Sequence, residues 1–306
     1  METLFTKARL FITRHARPLD WARWQFHFEN GGKENVCRAL AAYQNDNGGF
    51  GHALEPDAWN PNSSPIQTWA ATEILREIGL TDSAHPLITG ILRYLASGQD
   101  FNGRFWYTVV KSNNDYPHAP WWNMDSDSIC HDDYNPTACL AGFIVRFADK
   151  DSPLYTLGCR VAQEAAEQLL AGERENDSHT TTCYLRLVED CEAAGENALF
   201  DMARVKNVLR AAVAKWVSTD VAAWDTDYMC KPSQFIASPG SEYYPLIKDS
   251  ADYECDFIIK TQLDDGSWRI PWGWSDYPAE WAISKNWWKA HGIFMNLLYL
   301  QGFKRI

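Results

Sequence analysis

What the chain lacks narrows its class before any motif is read. No stretch approaches the roughly 18–20 uncharged apolar residues that a membrane-spanning helix needs. The opening METLFTKARLFITRHARPL is interrupted by Lys7, Arg9 and Arg14, and no small-residue cleavage site follows, so no secretory signal is expected. Basic residues are scattered and outnumbered, 28 against 40 acidic ones, for a formal net charge of −12. Both a nucleic-acid groove and a polybasic membrane patch require clustered Lys and Arg, so neither partner is expected. The eight cysteines form no C-x-x-C pair, and several sit among apolar helix residues as small hydrophobes. That pattern fits a reduced, cytoplasmic protein better than a disulfide framework. There is no G-x-S-x-G elbow, P-loop or G-x-G-x-x-G, which leaves a hydrolase triad or a nucleotide site without support. Alternation of Val, Ile and Thr beyond four residues is rare. Tyr107 to Val110 is its best case and reads as a short hairpin strand.

What is present is helical spacing. Apolar positions recur at the helical period over 3–14, 18–30, 33–45, 65–79, 85–98, 135–149, 152–171, 179–195, 199–218, 249–262 and 286–301. The segment 232–247 is ambiguous. Several of these stretches open on an X-Pro pair, as suits proline in a first helical turn. The class is therefore all-α.

Repeats then suggest an architecture. Gln44-x3-Gly48-x-Phe50, Gln99-x3-Gly103-x-Phe105 and Gln262-x3-Gly266-x-Trp268 share one template, each after an apolar helix and before a polar, aromatic-rich loop. Glycine permits the positive φ of a tight turn, and the Gln amide suits unpaired carbonyls at a helix end. A second pair, Asp125-x-Asp127-x-x-Cys130 and Asp225-x-Asp227-x-x-Cys230, precedes a candidate helix in both places. Eleven helices joined alternately by short and long connections read as helical hairpins of roughly 40–50 residues each. The closed solution is an (α/α)6 toroid formed by residues 1–306 as a single domain. An open solenoid would need polar end caps.

The Gln–Gly–aromatic repeats resemble the QW-type repeat of the prenyltransferase and squalene-cyclase (terpenoid cyclase-like) superfamily, most closely at QNDNGGFG and QLDDGSW. The wider GGFGHALEPD…SSP stretch is similar to small single-domain bacterial relatives. The resemblance implies a toroid with an aromatic-lined central cavity between its inner helices, and a fold alone implies no activity. The family's protonating D-x-D-D motif is incomplete: Asp125-Ser126-Asp127-Ser128 lacks the last acid, with His131, Asp132 and Asp133 following closely. The D-D-x-x-D of diphosphate-binding cyclases is absent. Asp252, Cys255 and His291 follow the order but not the spacing of prenyltransferase zinc ligands, so a divalent metal is not supported and no cofactor is expected.

The candidate chemistry sits in the long loops, which a toroid would bring to one mouth. His52, Glu55, Asp57, Asp125, Asp127, His131 and Asp132 are the candidate catalytic groups, because carboxyls that face one another raise each other's pKa and so make a general acid. Trp59, Trp121, Trp122, Trp224, Asp225, Asp227, Trp272 and Trp274 are the candidate substrate-binding residues. The chain has 15 tryptophans, more than a core requires, and many fall in loops. The plainer reading of an acid before a helix is an N-cap, which suits Asp133 and Asp177. Loop Trp residues can also serve only to staple loops down.

Three functions remain open. In a terpenoid-cyclase-like enzyme the aromatic wall stabilises carbocations and Asp125 or Asp127 donates the first proton to an isoprenoid. In a carbohydrate-active enzyme, paired carboxylates and Trp platforms act on an oligosaccharide. The third is a non-catalytic ligand-binding toroid. The first two take a small-molecule substrate, and no obligate protein partner is evident.

Overall fold

The computed structural model describes residues 3–124, 134–173 and 176–306. In chain order the helices are α1 (Leu4–His15), α2 (Pro18–Phe28), α3 (Lys33–Ala41), α4 (Pro65–Glu77), α5 (Pro86–Ala96), α6 (Thr137–Phe147), α7 (Pro153–Ala171), α8 (Ser178–Ala193), α9 (Met202–Trp216), α10 (Lys248–Thr261) and α11 (Pro278–Gly302). Among the described residues there is no β-strand, only isolated bridges, so the class is all-α.

Local chemistry explains the helix ends. Pro18, Pro65, Pro86, Pro153 and Pro278 open five helices, where a missing N–H costs nothing. Thr3, Ser64, Ser152 and Asp177 accept a first-turn amide with their side chains. Asp177 is thus a cap, as its position suggested.

Three expectations are corrected, and one ambiguous segment is resolved. The helix expected over 33–45 ends at Ala41, because Tyr43 and Gln44 enter the tight turn. The last helix starts at Pro278 rather than at 286. The segment 232–247 holds two short 3-10 turns, Pro232–Gln234 and Tyr244–Leu246. Tyr107 to Val110 forms no strand: Tyr107 N–H bonds the Asp100 carbonyl at 2.8 Å, and the local pairing is a single Phe101–Trp106 bridge.

Contacts divide the chain into two compact units, one of residues 40–211 and one of residues 1–39 with 212–306. In the unit of residues 40–211, α6 is the centre, buried without a break from Thr137 to Val145. Two glycines let its neighbours come close. A Cβ at Gly142 would lie 2.9 Å from Leu187 Cα on α8, and one at Gly158 on α7 would lie 2.5 Å from Ile144 Cγ2. Asp190 on α8, fully buried, accepts from Arg76 on α4 at 2.7 Å and from Arg146 on α6 at 3.0 Å. Removing that carboxylate would leave two guanidiniums without their shared partner.

In the unit of residues 1–39 and 212–306, α1 packs on α2 and α11, and α10 on α11. Asp20 is fully buried between Arg17 at 2.8 Å and Arg23 at 3.3 Å. Burial alone would raise its carboxyl, but the two guanidiniums outweigh it and hold the group below the usual carboxylate range.

Candidate functional site

Residues 44–64 form one closed turn system. Gln44 Nε2 donates to the Gly48 carbonyl at 2.9 Å and to the Leu87 carbonyl of α5 at 3.2 Å. Gly48 has φ +92°, and a Cβ there would lie 2.0 Å from the Gly90 carbonyl oxygen. Phe50, fully buried, pairs with both Gln44 and Ser64. This half of the loop is scaffold, as its repetition along the chain suggested.

The chain then makes a turn in which two consecutive non-glycine residues, His52 and Ala53, adopt φ of +60° and +58°. Left-handed backbone at non-glycine positions is uncommon and is held only where the surroundings enforce it. Here His52 N–H is tied to the Asn60 carbonyl at 2.9 Å, and Leu54 N–H to that of Gly51 at 3.2 Å.

Beyond the turn lie Glu55 and Asp57, 8% and 3% exposed. Neither caps α4, since that is the work of Ser64, whose Oγ accepts from Gln67 N–H at 3.3 Å. The Glu55 carboxylate accepts the Asp57 N–H at 3.0 Å, so part of its role is to pin the turn. Gln67 braces the same turn from α4, accepting Glu55 N–H at 2.8 Å and donating to the Ala58 carbonyl at 2.8 Å.

A second loop, 111–124, lies along this one. Trp59 N–H bonds the Pro117 carbonyl at 2.9 Å, Ala119 N–H bonds that of Asp57 at 2.8 Å, and Ala58 bridges His118. Asn60 Nδ2 reaches Ser112 Oγ at 2.8 Å and Asn113 Oδ1 at 2.9 Å, while Asn113 Nδ2 holds the Trp122 carbonyl at 3.2 Å. His118 is 8% exposed, with Nδ1 2.6 Å from the Tyr116 carbonyl. Trp121 is 44% exposed, and the Trp122 indole N–H is buried with no acceptor among the described residues.

The structure therefore brings His52, Glu55, Asp57, Trp59, Trp121 and Trp122 onto one pair of loops, joined by His118. Asp125, Asp127, His131 and Asp132 lie outside the described residues.

The remaining candidates belong to the other unit. Trp224 is packed in its core, 1% exposed, with Tyr253 and Phe257 edge-on at 5.7 and 5.6 Å. Asp225 and Asp227 are exposed, Asp227 accepting from Thr226 Oγ1 at 2.8 Å. Trp272 is edge-on to Tyr228 and to Trp288, and Trp274, 9% exposed, lies against Trp281.

Besides the ion-paired Asp20 and Asp190, a third buried acid escaped the sequence reading. Glu254 on α10 is 1% exposed and accepts from Ser233 N–H at 2.8 Å and Ser233 Oγ at 2.6 Å. Burial pushes its carboxyl up to about 7, against those hydrogen bonds and the nearby Lys231. Lys231 is itself lowered by burial and rests over the Phe257 ring at 4.8 Å. The signal was available. Ala251, Cys255 and Ile258 make a buried helical stripe, and Glu254 falls on it at the i+3 position.

The trio of close metal-ligating groups among the described residues, Glu34, Cys37 and His85, lies away from the paired loops in sequence. Among the described residues the loops hold no trio of His, Cys and carboxylate atoms close enough to share an ion. Asp252 is engaged by Lys248 at 2.6 Å and Tyr244 at 2.9 Å, and Cys255 Sγ faces the Ala251 carbonyl at 3.6 Å. A cavity of about 80 Å³ between α4 and α6 is lined by Arg76 and Arg146. It sits at the carbonyl ends of both helices, where the macrodipole favours those cations over a bound anion. No helix among the described residues is long and apolar enough to cross a membrane.

No protein-family model, no curated protein and no solved structure matches the chain.

Proposed function

We propose that the chain is a single (α/α)6 toroid of the terpenoid-cyclase and prenyltransferase type, and an enzyme whose acid–base site lies on loops 51–60 and 111–124. The carrying observation is the burial of two carboxyl groups, Glu55 and Asp57, on a turn whose helix cap and repeat scaffold are supplied by other residues. Desolvating ionisable groups costs several kcal/mol.

The chemistry is proton transfer to and from a substrate oxygen. One carboxyl protonates the leaving oxygen while the other, ionised, stabilises the positive charge that develops on the substrate, a division of labour that paired carboxyls support. The substrate is an oxygen-rich molecule of the oligosaccharide class. The exposed ring of Trp121 offers an apolar face to a sugar ring. Asn60, Ser112 and Asn113 add a polar side-chain cluster between the two loops.

A second reading is favoured by the Gln–Gly–aromatic repeats: acid-initiated chemistry on an isoprenoid, with Asp125 or Asp127 as the proton donor. A panel of oligosaccharides and isoprenoid substrates, turned over by wild type, Glu55→Gln and Asp57→Asn, separates the two. On an oligosaccharide each variant is expected to lose about 10²–10⁴-fold in kcat. Wild-type turnover in both variants overturns the site. Turnover confined to an isoprenoid and lost in Asp127→Asn assigns the second reading, and no turnover by wild type assigns the non-catalytic one.

A further inference from the structure

The amide orientations around His52 are fixed by backbone anchors, and together they settle which imidazole nitrogen carries the proton. Asn45 Nδ2 donates to the Pro61 carbonyl at 3.0 Å, an atom that only accepts, so the Asn45 amide has one orientation. Its Oδ1 then accepts, and its neighbour at 2.9 Å is His52 Nε2. His52 must therefore be protonated on Nε2. Asn45 Nδ2 also donates to Ser63 Oγ at 3.0 Å. Ser63 Oγ in turn donates to Asn47 Oδ1 at 2.7 Å, an oxygen fixed as acceptor by Gly49 N–H at 3.0 Å. Asn47 Nδ2 continues to Gln99 Oε1 at 3.0 Å, and Gln99 Nε2 to Asp100 Oδ2 at 3.3 Å.

Every link runs the same way, from imidazole N–H towards a carboxylate, the arrangement in which successive hydrogen bonds polarise one another. Ser63 is 4% exposed, so the inner links are sheltered, whereas the Asn47–Gln99 link lies in solvent and contributes less. His52 itself is exposed, and it stands three residues before Glu55 in left-handed backbone that continues through Ala53.

We infer that His52 is the proton acceptor of the paired-loop site, acting through Nδ1, with Asn45 and Ser63 as positioning residues that hold its tautomer. The inference rests on the acid–base reading given above. In the step, Nδ1 takes the proton of a water or substrate hydroxyl. The O–H bond breaks, its electron pair stays on the oxygen, which becomes the nucleophile, and the positive charge forms on the imidazolium. Nε2–H remains bonded to Asn45 Oδ1 throughout. The proton then leaves Nδ1 to solvent. An Asn or carboxylate that orients a catalytic imidazole through its far nitrogen is a general device of histidine bases.

The first test needs no substrate. In full-length protein labelled with ¹⁵N-histidine, in alkaline solution, His52 is expected as a single tautomer with Nε2 protonated and Nδ1 of the unprotonated type. Assignment comes from the signal lost in His52→Asn, a residue that tolerates the left-handed backbone. Asn45→Ala is expected to give mixed tautomers. If that variant does not fold, the wild-type spectrum decides alone. A wild-type mixture, or protonation on Nδ1, overturns the inference. As a second readout, diethyl pyrocarbonate is expected to modify His52 ahead of the enclosed His118, and the reverse order counts against an accessible Nδ1. Where a substrate is turned over, His52→Asn is expected to lose about 10²-fold or more in kcat. Full activity in His52→Asn with inactive Glu55→Gln defeats this inference alone. Full activity in Glu55→Gln and Asp57→Asn defeats the reading beneath it.

Discussion

The turns at Gln44 and Gln262 bond alike, and the turn at Gln99, spelled with the same letters, does not. Gln262 Nε2 donates to the Gly266 carbonyl at 3.0 Å and to the Leu4 carbonyl of α1 at 2.8 Å, repeating what Gln44 does with Gly48 and Leu87. A Cβ at Gly266 would lie 2.1 Å from the Lys7 carbonyl, against 2.0 Å for Gly48 and Gly90. Gln99 instead donates to the neighbouring Asp100 carboxylate and accepts from Asn47, and no atom lies within 4 Å of a Cβ placed on Gly103. Yet Gly103 keeps φ +97°, and Phe105 is as buried as Trp268, both 6% exposed. Glycine and the aromatic side chain thus make the turn. Gln becomes a clamp only where another helix brings a carbonyl within its reach.

The largest effect that would sharpen this contrast is at glycine. Gly48→Ala and Gly266→Ala are each expected to lose on the order of 3 kcal/mol, combining an unfavourable φ with a backbone collision. Gly103→Ala carries only the φ term, about 1 kcal/mol. Urea unfolding of the three single variants checks this, and equal losses would erase the distinction.

Next in size is the Gln side chain. Gln44→Ala and Gln262→Ala each leave one turn carbonyl, of Gly48 or Gly266, without its Gln donor and remove a second bond to a helix carbonyl, and should lose about 1–3 kcal/mol. Exposed Gln99→Ala should stay within about 0.5 kcal/mol. A matching loss at Gln99 would mean that the third turn is clamped after all.

The smallest effect is a difference in sign with pH. Burial raises the carboxyl of Asp100 above its ordinary value, outweighing hydrogen bonds from Tyr94 and Gln99. At Asp265, in the Gln262 turn, burial is outweighed by Lys289 and Ser267 and the carboxyl is lowered. A raised carboxyl contributes stability below its unfolded pKa that is lost as pH rises through the folded value. A lowered one contributes above the unfolded pKa and is lost as pH falls through the folded value. Asp100→Asn should therefore be more stable than wild type at neutral pH, with the gap closing in acid. Asp265→Asn should be less stable at neutral pH, with its gap also closing in acid. Unfolding of both variants from about pH 2 to about pH 7 spans both windows. Gaps of the same sign would break the comparison.

Much of the fold was legible because helices advertise themselves twice, by apolar period and by end signals. All eleven occur, most within the usual ambiguity of a helix boundary. The start of α11 was missed because Trp281 and its polar neighbours dilute the period there, although Pro278 with Glu280 marked it. Tyr107 to Val110 had strand propensity, but among the described residues no second strand lies beside it to complete a ladder. In the site, Glu55 and Asp57 stood out because the repeats do not carry them. The contribution of Asn45, Ser63 and Asn47 could not be read, since it lies in which amide faces which and adjacent letters do not encode that. The loop-on-loop pairing of 51–60 with 111–124 was equally invisible, being made largely by backbone groups every residue possesses.

The Gln262–Leu4 hydrogen bond has a consequence for how the chain emerges from the ribosome. It joins residues 258 positions apart, within a unit assembled from both ends of the sequence. Residues 40–211 are continuous and can collapse as soon as they are out. Helix α1, made long before residue 262, gains the Gln262 clamp on its Leu4 carbonyl only once that residue has been translated. During synthesis, α1 is therefore secured in its unit late, after residues 40–211 have emerged.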